Sequence, residues 1–388
     1  SRPWAPFQTR SDFEFIEEVV TECLRPKTID KMLNGYHGRW AKNTSLTVRN
    51  HKDVTLSLAA ARKFGIEFQD AKVSHEFQGH LHTFHFKFRD PWDWILDIIT
   101  DTTLSEKIMW FPVQKFLNDG YRIIRLYDDL NSGNLWWDIQ SSLPQEEGMP
   151  HCFLPLHLWL NKSNVSTTIK MHPIIIRPGF LPSAIRNGSG NGGGMLIVIW
   201  PYSEVEDDSA RSVEIAQFKR EVYHKIFDVT FRSLRKPSRH GEAVKCGDDI
   251  IHVLYPGFLI HSVDGEEACS TCGTRGAKAN HPCPKCLAAK EALHLLSKEF
   301  MPRTQTDMVE LYYSAKKCSS RTAREQLLRS SGLHYVKNSF WRLSNSDPYM
   351  AYSYDILHAL DSGEWGKHQW PLLLKILTPQ ERARLSKK

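Results

Sequence analysis

The chain has 388 residues, too many for one small core and enough for two or three domains. Its 41% apolar and 24% charged residues, with 12 tryptophans, describe a folded globular protein and exclude a disordered one. A net charge of +6 permits a nucleic-acid partner without demanding one, and no apolar run reaches the roughly eighteen residues of a membrane span.

The chain begins Ser1-Arg2-Pro3 without a methionine, as a trimmed or excised piece would. Residues 11–34 have helical periodicity, with Ser11 or Asp12 as cap, a break at Pro26 and a second short helix over 28–33. Residues 51–65 form a further helix closed by Gly65. From 73 to 88 the pattern alternates with period two, as in a strand. His80, His82 and His85 lie in this stretch; with no acid or cysteine to complete a metal site, a solvated strand face is preferred over a cluster. A helix follows over 91–99, then a strand over 121–127 and a turn at Ser132-Gly133-Asn134. Trp136 and Trp137 read as buried anchors in preference to a base-stacking pair.

After Gly148 the pattern changes. Strands are expected over 152–160, 168–176 and 195–200, a long basic helix over 209–235, and a strand over 250–263 that ends at Asp264. The glycine-rich stretch 187–194 is a loop between strands. No Lys-Ser/Thr follows it, so it is not a phosphate loop. Asp248 and Asp249 read as a turn. Helices are expected over 288–296 and 306–317, and a final helical, aromatic segment over 352–377. Three strands, a long helix, a fourth strand and an acid is the order of the RNase H-like fold, in which carboxylates hold divalent ions against a phosphodiester. The fold class expected is therefore α/β: an RNase H-like mixed sheet flanked by helices, with an inserted zinc knuckle and an N-terminal α+β domain. The divisions are 1–148, 149–268, 269–294 and 295–388.

Cys269 and Cys272, then ten residues, then Cys283 and Cys286 offer four thiolates to one tetrahedral ion, for which zinc is the default. His281 or His294 could replace one of them. The alternative is four ordinary buried or disulfide cysteines. Zinc-type cysteines fit a reducing compartment. Asn43, Asn161 and Asn164 begin glycosylation sequons, a pattern common by chance.

Several stretches carry a resemblance to the Plavaka transposases of fungi, relatives of the CACTA and Kyakuja-Dileera-Zisupton elements. Near the start these are Trp4-Ala5-Pro6-Phe7, Ser11-Asp12-Phe13-Glu14 and Ile29-Asp30-Lys31-Met32-Leu33. Then come Tyr127-Asp128-Asp129 with Leu135-Trp136-Trp137, Leu154 to Ser163, and Ser262-Val263-Asp264-Gly265 with Cys283-Pro284-Lys285-Cys286. Ser353-Tyr354-Asp355-Ile356-Leu357-His358 and Gly366-Lys367-His368-Gln369-Trp370 close the set.

The resemblance implies DDE-type cleavage and joining of double-stranded DNA at transposon ends, with Mg²⁺ or Mn²⁺ as catalytic ion and zinc as structural ion. It implies a nuclear location and no membrane association, and leaves homo-oligomerisation open. The implied acids are the residue at 161, Asp264 and Asp355, with Asp361 and Glu364 as lesser candidates for the third. Asp355 is equally well read as a helix cap. At 161 the family pattern has aspartate and this chain has asparagine. A neutral amide beside a divalent ion forfeits on the order of several kcal/mol even at an effective dielectric near 20. The implied functions are therefore an impaired transposase or an inactive, domesticated scaffold that binds DNA or protein.

Overall fold

The computed structural model describes residues 4–62, 65–161, 163–164, 170–188, 192–201 and 212–386. Outside the described residues lie Lys162, the Val165-Ser166 end of one sequon, the start of the strand expected from Thr168, positions 189–191 of the glycine-rich stretch, the helix start expected at Ser209, and Lys387 and Lys388. The chain divides into two compact units, 1–68 and 69–388.

The first unit is helical: α1 (Arg10–Thr21), α2 (Pro26–Gly35) and α3 (His51–Arg62). The cap of α1 is Thr9, not Ser11 or Asp12. Thr9 and Asp12 close a reciprocal capping box, leaving Asp12 Oδ1 to accept from the N–H groups of Thr47 at 2.7 Å and Val48 at 3.2 Å. Ile16, Val19, Ile29, Leu33, Val48 and Val54 form its core.

The second unit is built on a mixed sheet. Its strands and helices follow in order as β1 (Gln69–Phe77), β2 (His80–Phe88), α4 (Pro91–Thr100), β3 (Lys115–Asn118), β4 (Ile123–Leu126) and α5 (Asn134–Ser142). Next come β5 (His151–Leu160), β6 (Ser163–Asn164), β7 (Lys170–Pro178), α6 (Ser183–Arg186), β8 (Met195–Pro201), α7 (Ser212–Thr230) and α8 (Arg235–His240). Then follow β9 (Glu242–Lys245), β10 (Ile251–Val263), α9 (Gly265–Cys272), α10 (Gln305–Lys316), α11 (Arg321–Ser330), α12 (Pro348–Ala351) and β11 (Tyr352–Tyr354). A wide, π-type helix over Leu357–Gln369 leads to α13 (Trp370–Ile376) and α14 (Pro379–Leu385).

The spatial order is β1-β2-β8-β7-β5-β10-β11, with β6 on β7 and β9 on β10. The pairs β5–β10 and β10–β11 are parallel; β7 is antiparallel to both its neighbours β5 and β8. A separate two-stranded sheet, β3–β4, stands apart.

Leu154, Leu156, Leu158 and Leu160 of β5 are fully buried, as a central strand requires. Towards its end only that face stays buried, while His157, Trp159 and Asn161 on the other are partly open. Helix α7 lays Phe218, Val222 and Ile226, four apart, inward. Its Phe227 and the neighbouring Phe231 join Phe258 and Phe340 in one ring cluster.

Three expectations change. The 73–88 stretch is a hairpin, turned at Gln78-Gly79, where both φ angles are positive. The 288–296 helix is absent apart from one short turn at Lys290–Ala292, because backbone bonds from Lys290 to Asn280 and from Leu287 to Met301 hold a loop. The segment from 352 begins as a strand, β11, before it becomes helical. Trp136 is fully buried, as expected of an anchor, whereas Trp137 is 38% exposed.

Candidate functional site

The site follows from register. Across β5–β10, Trp159 pairs with Ser262; across β10–β11, Tyr354 pairs with Val263. Continued by two residues on one side and one on the other, the same register sets Asn161 and Asp355 on either side of Asp264. Neighbouring strands lie about 4.8 Å apart, and side chains at matched positions share a face. Asp264 keeps an extended backbone (φ −70°, ψ 174°), so the path of β10 reaches it. That continuation would bring one amide and two carboxylates to the carboxyl ends of three adjacent parallel strands.

Both acids are held by backbone. Asp264 caps α9: its Oδ1 accepts from the N–H of Glu266 at 2.9 Å and of Glu267 at 2.8 Å. Among the described residues Oδ2 of Asp264 has no partner. Asp355 Oδ1 accepts from Leu357 N–H at 2.8 Å, and its Oδ2 meets His358 Nδ1 at 2.8 Å. Partial burial pushes the Asp355 carboxyl up, but the bonds from His358 and Leu357 outweigh it and the group titrates below its ordinary value. Asp355 thus holds the first turn of the wide helix through Leu357 N–H, while the cap position itself is Ile356. Just inside this layer His157 Nε2 and Ser262 Oγ are 2.7 Å apart, tying β5 to β10 beneath the acids. Burial, with Arg177 and Arg186 nearby, pulls His157 down to about 4.

Cys269, Cys272, Cys283 and Cys286 are free thiols. Cys269 and Cys272 ride on α9, which Gly273 ends in the left-handed conformation (φ +68°) that favours glycine. The Cys283 sulfur accepts from Lys285 N–H at 3.4 Å. Burial pushes the Cys269, Cys272 and Cys286 thiols above their ordinary value. All four interact electrostatically or through hydrogen bonds with one fully buried guanidinium, Arg303, or its immediate surroundings; its Nε donates to Cys283 O at 2.8 Å. Among the described residues no three His, Cys, Asp or Glu side chains are gathered closely enough to hold a metal. His281 Nδ1 bonds Leu287 O, and His294 is exposed.

Other candidates disperse. His80 and His82 share one face of β2 while His85 points to the other, and His82 packs edge-on against Phe218. Asp248 binds His252 at 2.9 Å, and Asp249 (φ +63°) makes a turn. Asp361 and Glu364 are exposed on the wide helix. Sequence reasoning missed β11, His157 with Ser262, and Arg303. A three-residue strand is too short for periodicity to reveal.

The fold is of the mixed α/β class, a mixed sheet flanked by helices. The family model described as Plavaka transposase matches residues 49–373. The chain belongs to the Plavaka transposase family. Among curated proteins none matches it. Among the described residues no helix is long and apolar enough to cross a membrane.

Proposed function

We propose that this chain is a DDE-type transposase core or a transposase-derived DNA-binding protein, with cleavage impaired at Asn161, acting on double-stranded DNA. One observation carries the reading: the parallel registers that pair Trp159 with Ser262 and Val263 with Tyr354, which, continued past those last pairs, bring Asn161, Asp264 and Asp355 side by side at the ends of β5, β10 and β11. The order β8-β7-β5-β10-β11, with β7 alone reversed, supports an RNase H-like core whose strands β5, β7, β8 and β10 lie within 149–268 and whose edge strand β11 comes from beyond it.

The donor set suits a hard divalent ion in part: all oxygens, but one charge short of three carboxylates. Asp264 and Asp355 would hold Mg²⁺ or Mn²⁺. Such an ion, when bound, supplies Lewis-acid activation of the phosphodiester and of water. The chain's own residues orient the site. The amides at the start of α9 fix Asp264 Oδ1 and leave Oδ2 outward, while Leu357 N–H and His358 fix Asp355.

Zinc at Cys269, Cys272, Cys283 and Cys286 is part of the proposal. Arg303 is fully buried and, among the described residues, has no carboxylate partner. Four thiolates around Zn²⁺ carry a net double negative charge, the counter-charge this guanidinium lacks.

The second reading is a catalytically inactive, domesticated scaffold that binds DNA or protein; Asn161 favours it. A plasmid-cleavage assay with Mg²⁺ or Mn²⁺ separates the two. The proposal expects weak cleavage by the native chain, a gain of at least about tenfold on Asn161→Asp, and loss on Asp264→Ala. A variant that stays inert overturns the DDE reading. Native activity equal to the variant's removes the impairment.

A further inference from the structure

The β1 strand is parallel to β5 through two antiparallel steps on each side of β8, so its end at Phe77 lies at the same end of the sheet as Asp264. There the first half of α7 faces a cleft of about 1070 Å³, closed on the other side by α11 and by the loop after α9. Six cations line it: Arg220, Arg275, Lys278, Arg321, Arg324 and Arg329. Four carboxylates share it, and three of these are engaged. Glu325 is held by Arg275 at 2.8 Å, Glu214 by Arg321 at 3.7 Å, and Glu221 by His75 at 2.5 Å.

Among the described residues Lys278, Arg324 and Arg329 have no carboxylate partner, and Arg220 makes no ion-pair contact, although Glu325 and Glu221 lie near enough to favour its charge. Arg220 is half-buried, and its acceptor is Gln217 Oε1 at a long 3.4 Å. Arg324 lies over the Tyr335 ring at 4.2 Å, with its Nε shielded from solvent and lacking an acceptor. A shielded guanidinium donor without an acceptor is unfavourable, and an anion from outside would satisfy it. The cleft does not end there. Arg321, Glu325 and Arg329 also border a second depression of about 660 Å³ that reaches Asn280. Such a path suits a polymer of anions better than one small ion.

We propose that this groove carries the phosphodiester backbone of DNA towards the strand-end acids. The assignment rests on the DNA-processing reading above. It also divides the basic helix. Arg220 faces the groove, whereas Lys225 is bound to Ser74 O at 2.9 Å and Arg235 is paired with Asp228.

The test is fluorescence anisotropy of a labelled duplex of about 30 base pairs between about 50 and 200 mM salt. The doubles Arg220→Gln/Arg324→Gln and Lys278→Gln/Arg329→Gln are compared with Arg232→Gln/Lys236→Gln, an equal charge loss at exposed sites beyond α7. Each groove double is expected to weaken binding about tenfold and to lower the salt slope by about 0.9 per lost contact. The exposed pair should leave both unchanged, and Arg324→Lys should restore the slope lost in Arg324→Gln. Groove doubles that bind like the native chain, or no better distinguished than the exposed pair, overturn the groove and leave the proposed function standing. A native chain that binds no duplex overturns both. A thermal shift from inorganic phosphate that needs Arg220 and Arg324, with duplex affinity unaffected by their loss, identifies a small-anion site and overturns the polymer path.

Discussion

At the scale of single residues, Asp264 has two separable jobs. As the cap of α9 it accepts two backbone N–H bonds, and Asp264→Ala should destabilise the fold by about 1 kcal/mol in urea titration. Asn caps as well as Asp, so Asp264→Asn should retain that stability while abolishing Mn²⁺ binding measured by calorimetry. Equal Mn²⁺ affinity in the two proteins would contradict a carboxylate role. Burial also pulls four histidines down: His157 and His224 to about 4, and His334 and His261, the latter packed on Phe258 and Phe340, to about 3. The unfolded chain takes up these protons near pH 6.5, before the folded one can. Stability is therefore full above about 6.5 and falls as pH drops towards about 4, by up to a few kcal/mol for each group. Urea midpoints should fall across that window, and His261→Leu should shrink the fall; a flat profile would refute the assignment. Asp264 was legible in the sequence because an apolar strand runs straight into it. Asp355 was legible only through family resemblance, because nothing in Tyr352-Ser353-Tyr354 announces a strand.

At the scale of elements, the long strands and α7 were readable because each repeats its apolar signal several times. β5, β7, β8 and β10 are runs of β-branched and large apolar residues, and α7 keeps its four-residue spacing. What could not be read was pairing. The 73–88 alternation persists through a turn, so one strand and a hairpin look alike. The 288–296 segment has good helix formers, yet tertiary backbone bonds hold it as a loop. β10 shows how much neighbours decide. Pro256 lacks an N–H, and it is tolerated because β9 stops at the partner of Leu254 and β11 starts at that of His261. In that gap Asn345 and Ser346 close in: Phe258 N–H donates to Ser346 Oγ at 3.0 Å, and a Cβ on Gly257 would sit 2.5 Å from Asn345 O. Gly257→Ala should cost about 1–3 kcal/mol, read as a lowered urea midpoint. An unchanged midpoint would mean that the 345–346 segment does not seat on β10.

At the scale of the whole molecule, one strand-end acid and the first two cysteines share one element, since α9 begins under Asp264 and ends at Cys272. A zinc ion bound there would anchor the helix that the acid caps. One zinc per chain is expected by elemental analysis, and chelation should lower the melting temperature by several degrees. A metal-free chain with unchanged melting would contradict it. Cys-x-x-Cys spacing made this loop the plainest sequence signal, while Arg303 at its centre carried none, because a buried arginine looks like any surface arginine in a sequence. The claim on which the rest depends is that positions 161, 264 and 355 share one ion. A crystal of the Asn161→Asp variant soaked in Mn²⁺ tests it most directly. The account predicts an anomalous peak within about 2.2 Å of carboxylate oxygens at positions 161 and 264, with Asp355 adjacent. A peak elsewhere, or none there with the two side chains turned to opposite faces, would contradict it.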